Sequence, residues 1–208
     1  MNLSIKKQGL LIVISGPSGA GKGTICKALI EKEKDLKLSI SATTRQPRAG
    51  EVDGKNYFFK SEEEFKRMIE EDAFLEWAKV YDHYYGTPKE FVLKNLEEGN
   101  DVVLEIDIQG ALKVKEKFPA GVFIFILPPS MEELKNRIKK RGTESEEEII
   151  KRFKSAYEEL NYVSKYNYVV INDDVDRAVE KIRAIIIAEK CRVDRNKDLY
   201  LKIREESV

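Results

Sequence analysis

The stretch Leu10-Leu11-Ile12-Val13-Ile14-Ser15-Gly16-Pro17-Ser18-Gly19-Ala20-Gly21-Lys22-Gly23-Thr24 decides the reading of the chain. Its first five residues are a continuous apolar run, the pattern of a strand buried on both faces, and the run stops at a glycine-rich turn. Ile25, Ala28 and Leu29 then recur at helical spacing. A strand that turns sharply into a helix through Gly16, Pro17, Ser18, Gly19, Ala20 and Gly21 lets backbone N–H groups converge on an anion, with support from the helix dipole. In such a loop Lys22 reaches the outer phosphates of a nucleotide. The strict pattern has Ser or Thr directly after the lysine, whereas here Gly23 intervenes and the hydroxyl of Thr24 comes one place later. A metal contact from Thr24 is therefore expected from a displaced position.

Leu36 to Ile40 then supplies a second short strand, and further along Val102 to Ile106, Val122 to Leu127 and Tyr168 to Ile171 are apolar strands, each followed by a helical pattern. Such alternation argues an α/β fold with a parallel sheet flanked by helices. Ser61-x-x-Glu64, Ser130-x-x-Glu133 and Ser145-x-x-Glu148 read as capping boxes that fix three helix starts. Ile149, Ile150, Phe153, Ala156, Tyr157 and Leu160 are expected on one face of the longest helix, and Val175, Ala178, Val179, Ile182, Ile185 and Ile186 on one face of the next. Between Thr43 and Thr87 the pattern shifts to short aromatic strand-like pieces around one helix, which predicts a small α+β insert. After Cys191 a charged tail carries a weak Leu199-Leu201-Ile203 pattern.

The 208 residues allow one full domain at roughly 100–200 residues per domain. With 42% hydrophobic residues there is material for a core, which excludes global disorder. Lys plus Arg and Asp plus Glu total 37 each, so no net field favours nucleic acid or an anionic membrane. No apolar run approaches the ~20 residues of a bilayer span, and no cleavage signature follows the N-terminus, so a cytoplasmic location is expected. Cys26 and Cys191 have no metal-ligand spacing, and the single histidine, His83, has no ligand partner nearby.

A second anion site is expected in Ser39-Ile40-Ser41-Ala42-Thr43-Thr44-Arg45-Gln46-Pro47-Arg48-Ala49-Gly50-Glu51, where two arginines stand three apart in a Pro/Gly loop with hydroxyls, and Tyr57 can add another. Asp107-Ile108-Gln109-Gly110 is a DxxG string, but Asn196-Lys197-Asp198-Leu199 lacks the spacing a guanine-reading GTPase switch requires. In order along the chain, GPSGAGKGT, SATTRQPRAGEVDGKNYFF, FLEWAKVYDHYYGTP, VVLEIDIQGA, LPPSMEELKNRIKKRGTESEEEIIKR and VVINDD together resemble the guanylate kinase family from about residue 10 to about residue 188.

The resemblance implies a nucleoside-monophosphate-kinase fold in a single domain. Its core would comprise about 1–42, 88–128 and 165–190, with a GMP-binding insert at about 43–87, a helical lid at about 129–164 and a tail at about 191–208. It implies transfer of the γ-phosphoryl of ATP to GMP, with Mg²⁺ held by the nucleotide and water. Arg45, Arg48, Tyr57 and Tyr85 would hold the GMP phosphate. Glu76 would accept from the guanine ring N–H and exocyclic amine, with hydroxyls from Ser41 and Thr87. Either Asp107 or Glu105 organises magnesium through water, or Asp107 contacts the guanine. Arg141 and Arg152 would close on the transferring phosphoryl, beside Lys22 and Arg45, while Arg137 would lie near adenine. Two other readings remain at this point, another nucleoside monophosphate kinase and a non-catalytic scaffold that binds a phosphopeptide. The residues suit either a monomer or a homo-oligomer.

Overall fold

A computed structural model describes residues 8–80, 82–140 and 146–205. In chain order the first elements are β1 (Leu11–Ser15), α1 (Lys22–Lys32), β2 (Lys37–Ser39), β3 (Ala42–Thr43), β4 (Phe58–Phe59), α2 (Glu62–Glu70), β5 (Phe74–Val80), β6 (His83–Pro88) and α3 (Lys89–Glu98). The chain continues through β7 (Val102–Glu105), α4 (Ile108–Lys117), β8 (Val122–Leu127), α5 (Met131–Lys140), α6 (Glu146–Glu159), a 3₁₀ turn (Leu160–Lys165), β9 (Tyr168–Ile171) and α7 (Val175–Lys190). A second 3₁₀ turn (Val193–Arg195) leads into α8 (Lys197–Glu205).

Every residue of β1 is buried because the strand lies in the middle of a parallel sheet ordered β2-β7-β1-β8-β9. Side chains alternate across a strand, so β1 feeds two cores. Ile12 and Ile14 pack with Ile25 and Leu29 of α1 and with Val179 and Ile182 of α7. Leu11 and Val13 face the other way, toward Val92 and Leu96 of α3 and Ala111 and Val114 of α4. Helices on both faces are what a parallel sheet requires, and they explain why its strands read as unbroken apolar runs rather than alternating ones.

The second sheet is ordered β4-β3-β6-β5. Its register pairs Ala42 with Gly86, Thr43 with Tyr85, Trp77 with Gly86 and Glu76 with Thr87. One face therefore carries Ala42, Trp77 and Tyr84 and packs on Phe65 of α2. The Phe65 ring is fully buried and stacks on Phe74 at 4.5 Å and on Tyr84 at 5.5 Å. By the same alternation, Glu76, Tyr85 and Thr87 point to the opposite face.

The helix starts follow the sequence in part. At α2 the capping box is complete, with the Ser61 hydroxyl accepting from the Glu64 N–H and the Glu64 carboxylate from the Ser61 N–H. At α5 the Ser130 hydroxyl accepts from the Glu133 N–H at 3.1 Å, while the Glu133 carboxylate also accepts from Arg137 at 2.8 Å. Ser145 lies outside the described residues. Two expectations need correction. Among the described residues the longest helix is α7, with 16 residues against 14 for α6. On α6 only Ile149, Phe153 and Ala156 pack inward, against Leu134 and Ile138 of α5, while Ile150 and Tyr157 are 66% and 63% exposed. A helix that meets its main partner along one narrow stripe leaves the flanks of its apolar arc in solvent.

The start of the tail is pinned to the core. Glu189 is buried and accepts from the Tyr168 hydroxyl at 2.5 Å and from Arg195 at 2.9 Å, and Arg195 also donates to the Ala120 carbonyl at 2.7 Å.

The α2 cap gives a direct test of local stability. Ser61→Ala is expected to cost about 1 kcal/mol in urea unfolding, whereas Ser61→Gly should cost only a few tenths, because glycine adopts the cap backbone and leaves the end accessible to water.

Candidate functional site

The loop after β1 is shaped by its neighbours. Gly21 caps α1 in the left-handed region at φ 89°, and a Cβ there would lie 2.3 Å from Asn172 Nδ2. The position therefore excludes a side chain on both backbone and steric grounds. Asn172, buried just beyond β9, donates from Nδ2 to the Ala20 carbonyl at 2.7 Å across 152 residues of chain. Arg137 on α5 bonds the same corner, donating to the Asn172 carbonyl at 3.2 Å and to the Ala20 carbonyl at 3.5 Å. Together with Gly19, Gly21, Thr24 and Val175 they border an open groove of about 270 Å³ at the start of α1. Thr24 is exposed at its mouth.

Lys22 folds back over the loop, and its ammonium donates to the carbonyls of Gly16 at 2.6 Å and Pro17 at 3.3 Å. Burial lowers its pKa, while Glu105, Glu159 and Asp107 oppose that shift by favouring the charged form. The Glu105 carboxylate sits over the first turn of α1, 3.3 Å from where a Cβ on Gly23 would be. It also borders a small pocket with Ser39, Ser41, Asn56 and Tyr57. Glu105 therefore stands between the loop and the second cluster.

That second cluster is organised by Glu51. Its carboxylate accepts from the Arg45 guanidinium at 2.9 Å and from the Arg48 backbone N–H at 2.7 Å, which closes the loop into a compact turn. Burial works to raise the Glu51 pKa, but these bonds hold it below the ordinary carboxylate value. The Arg45 guanidinium lies over the Tyr57 ring at 5.5 Å, and Tyr57 meets Tyr85 edge-on at 6.0 Å. Burial pushes the Tyr57 hydroxyl up to about 12, so it stays a proton donor at neutral pH. The Arg48 side chain is exposed.

Glu76 is the buried charge of the site, 5% exposed on β5. The Thr87 hydroxyl donates to its Oε1 at 2.7 Å. Burial, with Asp107 nearby, raises its pKa to about 7 despite that bond. Asp107 caps α4 by accepting from the Gly110 N–H at 2.8 Å, and a Cβ on Gly110 would lie 2.5 Å from Glu76 Oε2. The glycine of the Glu105-to-Gly110 string thus leaves room for a carboxylate from the other sheet.

The structure brings together most of the residues expected from the sequence. Arg45, Tyr57 and Tyr85 form one group, and Glu76, Thr87 and Asp107 another. Ser41 lies beside Tyr57. On the loop side, Arg152 of α6 donates to the Ser18 hydroxyl at 2.7 Å, while Arg137 sits apart, at Ala20. Arg141 lies outside the described residues. Four contributors had no role from sequence reasoning. Glu51, Gly110 and Asn172 lay inside quoted strings, whereas Glu159 lay in none.

Comparison with known proteins agrees with this geometry. The family model described as guanylate kinase matches residues 8–189. A guanylate kinase of Caldanaerobacter subterraneus subsp. tengcongensis is 98% identical over 99% of this chain and 100% of that protein. One from Clostridium perfringens is 68% identical over 97% of this chain and 93% of that protein. Among solved structures, the crystal structure of guanylate kinase from Anaplasma phagocytophilum superposes with a TM-score of 0.79 at 34% identity, covering 92% of this chain and 91% of that one. By sequence along nearly its whole length and by architecture, the chain belongs to the guanylate kinase family.

Proposed function

We propose that the chain transfers the γ-phosphoryl group of ATP to GMP, giving ADP and GDP. Family membership supports the reaction, and the buried Glu76–Thr87 pair carries the choice of acceptor. A guanine edge offers a ring N–H and an exocyclic amine side by side, and an ionised Glu76 accepts from both. Ser41 and Thr87 supply hydroxyls beside it. Adenine lacks this donor pair and would leave a desolvated carboxylate unpaired, a mismatch worth roughly 10⁴-fold in discrimination.

Two residues along β6 from Thr87, Tyr85 joins Arg45, Arg48 and Tyr57 to hold the acceptor phosphate. Guanidinium groups suit its paired oxygens, and the high Tyr57 pKa keeps that hydroxyl a donor. The loop N–H groups and Lys22 hold the donor phosphates, Arg137 lies toward the adenine, and Arg141 and Arg152 close on the phosphoryl in transit. The acceptor phosphate is already anionic, so the site needs charge neutralisation and alignment rather than a strong base. In this reading residues 43–87 are the GMP-binding insert and 129–164 the lid.

Among the described residues no cluster of three or more His, Cys, Asp or Glu side chains forms a metal cage. The oxygen donors near the start of α1, the exposed Thr24 hydroxyl and the Glu105 carboxylate, suit Mg²⁺ that keeps its waters and shares the nucleotide's phosphates. Bound there, the ion neutralises charge on the β- and γ-phosphates. Asp107 acts either there through water or at the guanine. Among the described residues no helix is long and apolar enough to cross a membrane. The same proposal places the enzyme in the cytoplasm.

ADP formation from ATP and Mg²⁺ with GMP, AMP, CMP and UMP as separate acceptors tests the assignment. Selective turnover of GMP that Glu76→Ala abolishes is expected, and preferred turnover of AMP or UMP would refute it. Lys22→Ala should lower kcat by at least about 10²-fold in a folded protein. The pH dependence has a definite sign. Glu76 binds its proton more tightly in the fold than in the unfolded chain, so its contribution to stability is full at low pH and is lost as pH rises through about 7. Guanine needs the ionised form, so GMP affinity should weaken as pH falls below about 7. The GMP phosphate titrates near ~6 itself, so the effect is read as the difference between the parent and Glu76→Gln.

A further inference from the structure

Helix α4 meets strand β5 along one stripe of its surface. Gly110, Lys113 and Lys117 are spaced three and then four positions apart, so they share a face of the helix. A Cβ on Gly110 would lie 2.5 Å from Glu76 Oε2, so the buried carboxylate rests on the first turn of α4. Lys113 donates to the Trp77 carbonyl and holds its ammonium 5.0 Å from the centre of the Trp77 ring. Lys117 donates to the Leu75 carbonyl at 2.8 Å. The two lysines therefore take hold of the backbone on either side of Glu76. Strand β5 needs support at this point. It is the outer strand of its sheet, and its pairing with β6 slips by one residue between Phe74 and Glu76, so the ladder is interrupted just before the carboxylate. Helix α4, in contrast, is anchored in the central layer by buried Ala111 and Val114. The reaction assigned above uses Glu76 but gives neither lysine a part.

We propose that Lys113 and Lys117 are positioning residues for acceptor recognition, clamping β5 to α4 so that the Glu76 carboxylate stands where a guanine edge meets it. The proposal rests on the ATP:GMP reading and deepens it. Accepting from a ring N–H and an exocyclic amine together requires both carboxylate oxygens to be placed, and a displacement of about 1 Å at such a site can cost ~10²-fold. Hydrogen bonds from charged donors are among the stronger ones, and a pair of them flanking one residue resists both sliding and twisting of the strand. The Trp77 ring gives Lys113 a second hold on the same residue. The Lys113 ammonium also favours the ionised form of Glu76, the form that accepts from guanine. The alternative role is physically distinct. Lysines that only covered an exposed strand edge would change stability and leave the choice of base alone.

Steady-state kinetics with GMP and with IMP, whose base keeps the ring N–H but lacks the exocyclic amine, decides between these roles. The proteins compared are the parent, Lys113→Met, Lys117→Met, the double Met variant and the double Arg variant. Methionine keeps an unbranched side chain but removes the donor and the charge, whereas arginine keeps both. In the double Met variant the ratio of kcat/KM for GMP over IMP is expected to fall about tenfold, with KM for GMP raised and KM for ATP unchanged. Each single Met change should lower the ratio about threefold, and the double Arg variant should restore most of it. An unchanged ratio, an equal rise in KM for ATP, or a double Arg variant as unselective as the double Met variant would each overturn the proposal. Urea unfolding of the same proteins separates selection from stability, since a loss of stability with the ratio intact leaves the lysines as edge cover only. If the double Met variant does not fold, Lys113→Met decides alone. Calorimetry reads GMP and IMP binding without turnover, so a parent that binds GMP but fails to phosphorylate it removes the assigned reaction, while the ratio of Kd values still tests the lysines.

Discussion

A loop that binds anions must present its N–H groups outward, so its carbonyls have to be held from behind. The carbonyl of Ala20 is where this constraint is met. It accepts from Asn172 at 2.7 Å, with Arg137 adding a longer contact, and the carbonyls of Gly16 and Pro17 accept from Lys22. Asn172 lies one residue beyond β9, the edge strand next to β8, which in turn pairs with β1. The loop is thus fastened to the sheet at both ends, by the strand that leads into it and by a side chain two strands away. The absence of a Cβ on Gly21 is part of the same fastening, since Asn172 occupies that space.

The second sheet rests on different physics. It is short and two-sided, with aromatic packing on α2 behind and polar groups in front. The opposite charges of Arg45 and Glu51 are only partly exposed and are reinforced by the Arg48 backbone, which makes that turn more than a surface ion pair. Glu76 is a more expensive choice. A carboxylate buried to this degree with one hydroxyl partner is held near its protonation point, which a site can afford only where a ligand completes the bonding.

Much of the central layer was legible in the sequence. β1, β7 and β8 read directly as strands because parallel strands covered on both faces lose the polar alternation that obscures shorter elements, and β9 reads the same way although Val169 and Ile171 on this edge strand are exposed. The glycine-rich loop was legible for a similar reason, since only glycine serves where a backbone turns left-handed against a neighbour. The shortfall has a common cause. Asn172 meets Ala20 across 152 residues and Gly110 meets Glu76 from the other sheet, and no local pattern reports a partner that distant in sequence. Ile150 and Tyr157 misled for the converse reason. Helical spacing fixes which residues share a face, whereas the width of the partner decides how much of that face is covered.

The alternation of the second sheet bears on how this chain can change in length. Tyr85 and Thr87 point toward the recognition groups, while Gly86 between them lies against the aromatic layer on α2. Deleting a single residue within β6 would exchange these sets, sending the Thr87 hydroxyl into the aromatic layer and a layer residue to the opposite face. The loop from Gln46 to Asn56 has no such parity to protect, apart from the bonds made by Glu51, Asp53 and Asn56. Insertions and deletions among functional descendants of this chain should therefore accumulate at turns and avoid the six residues of β6.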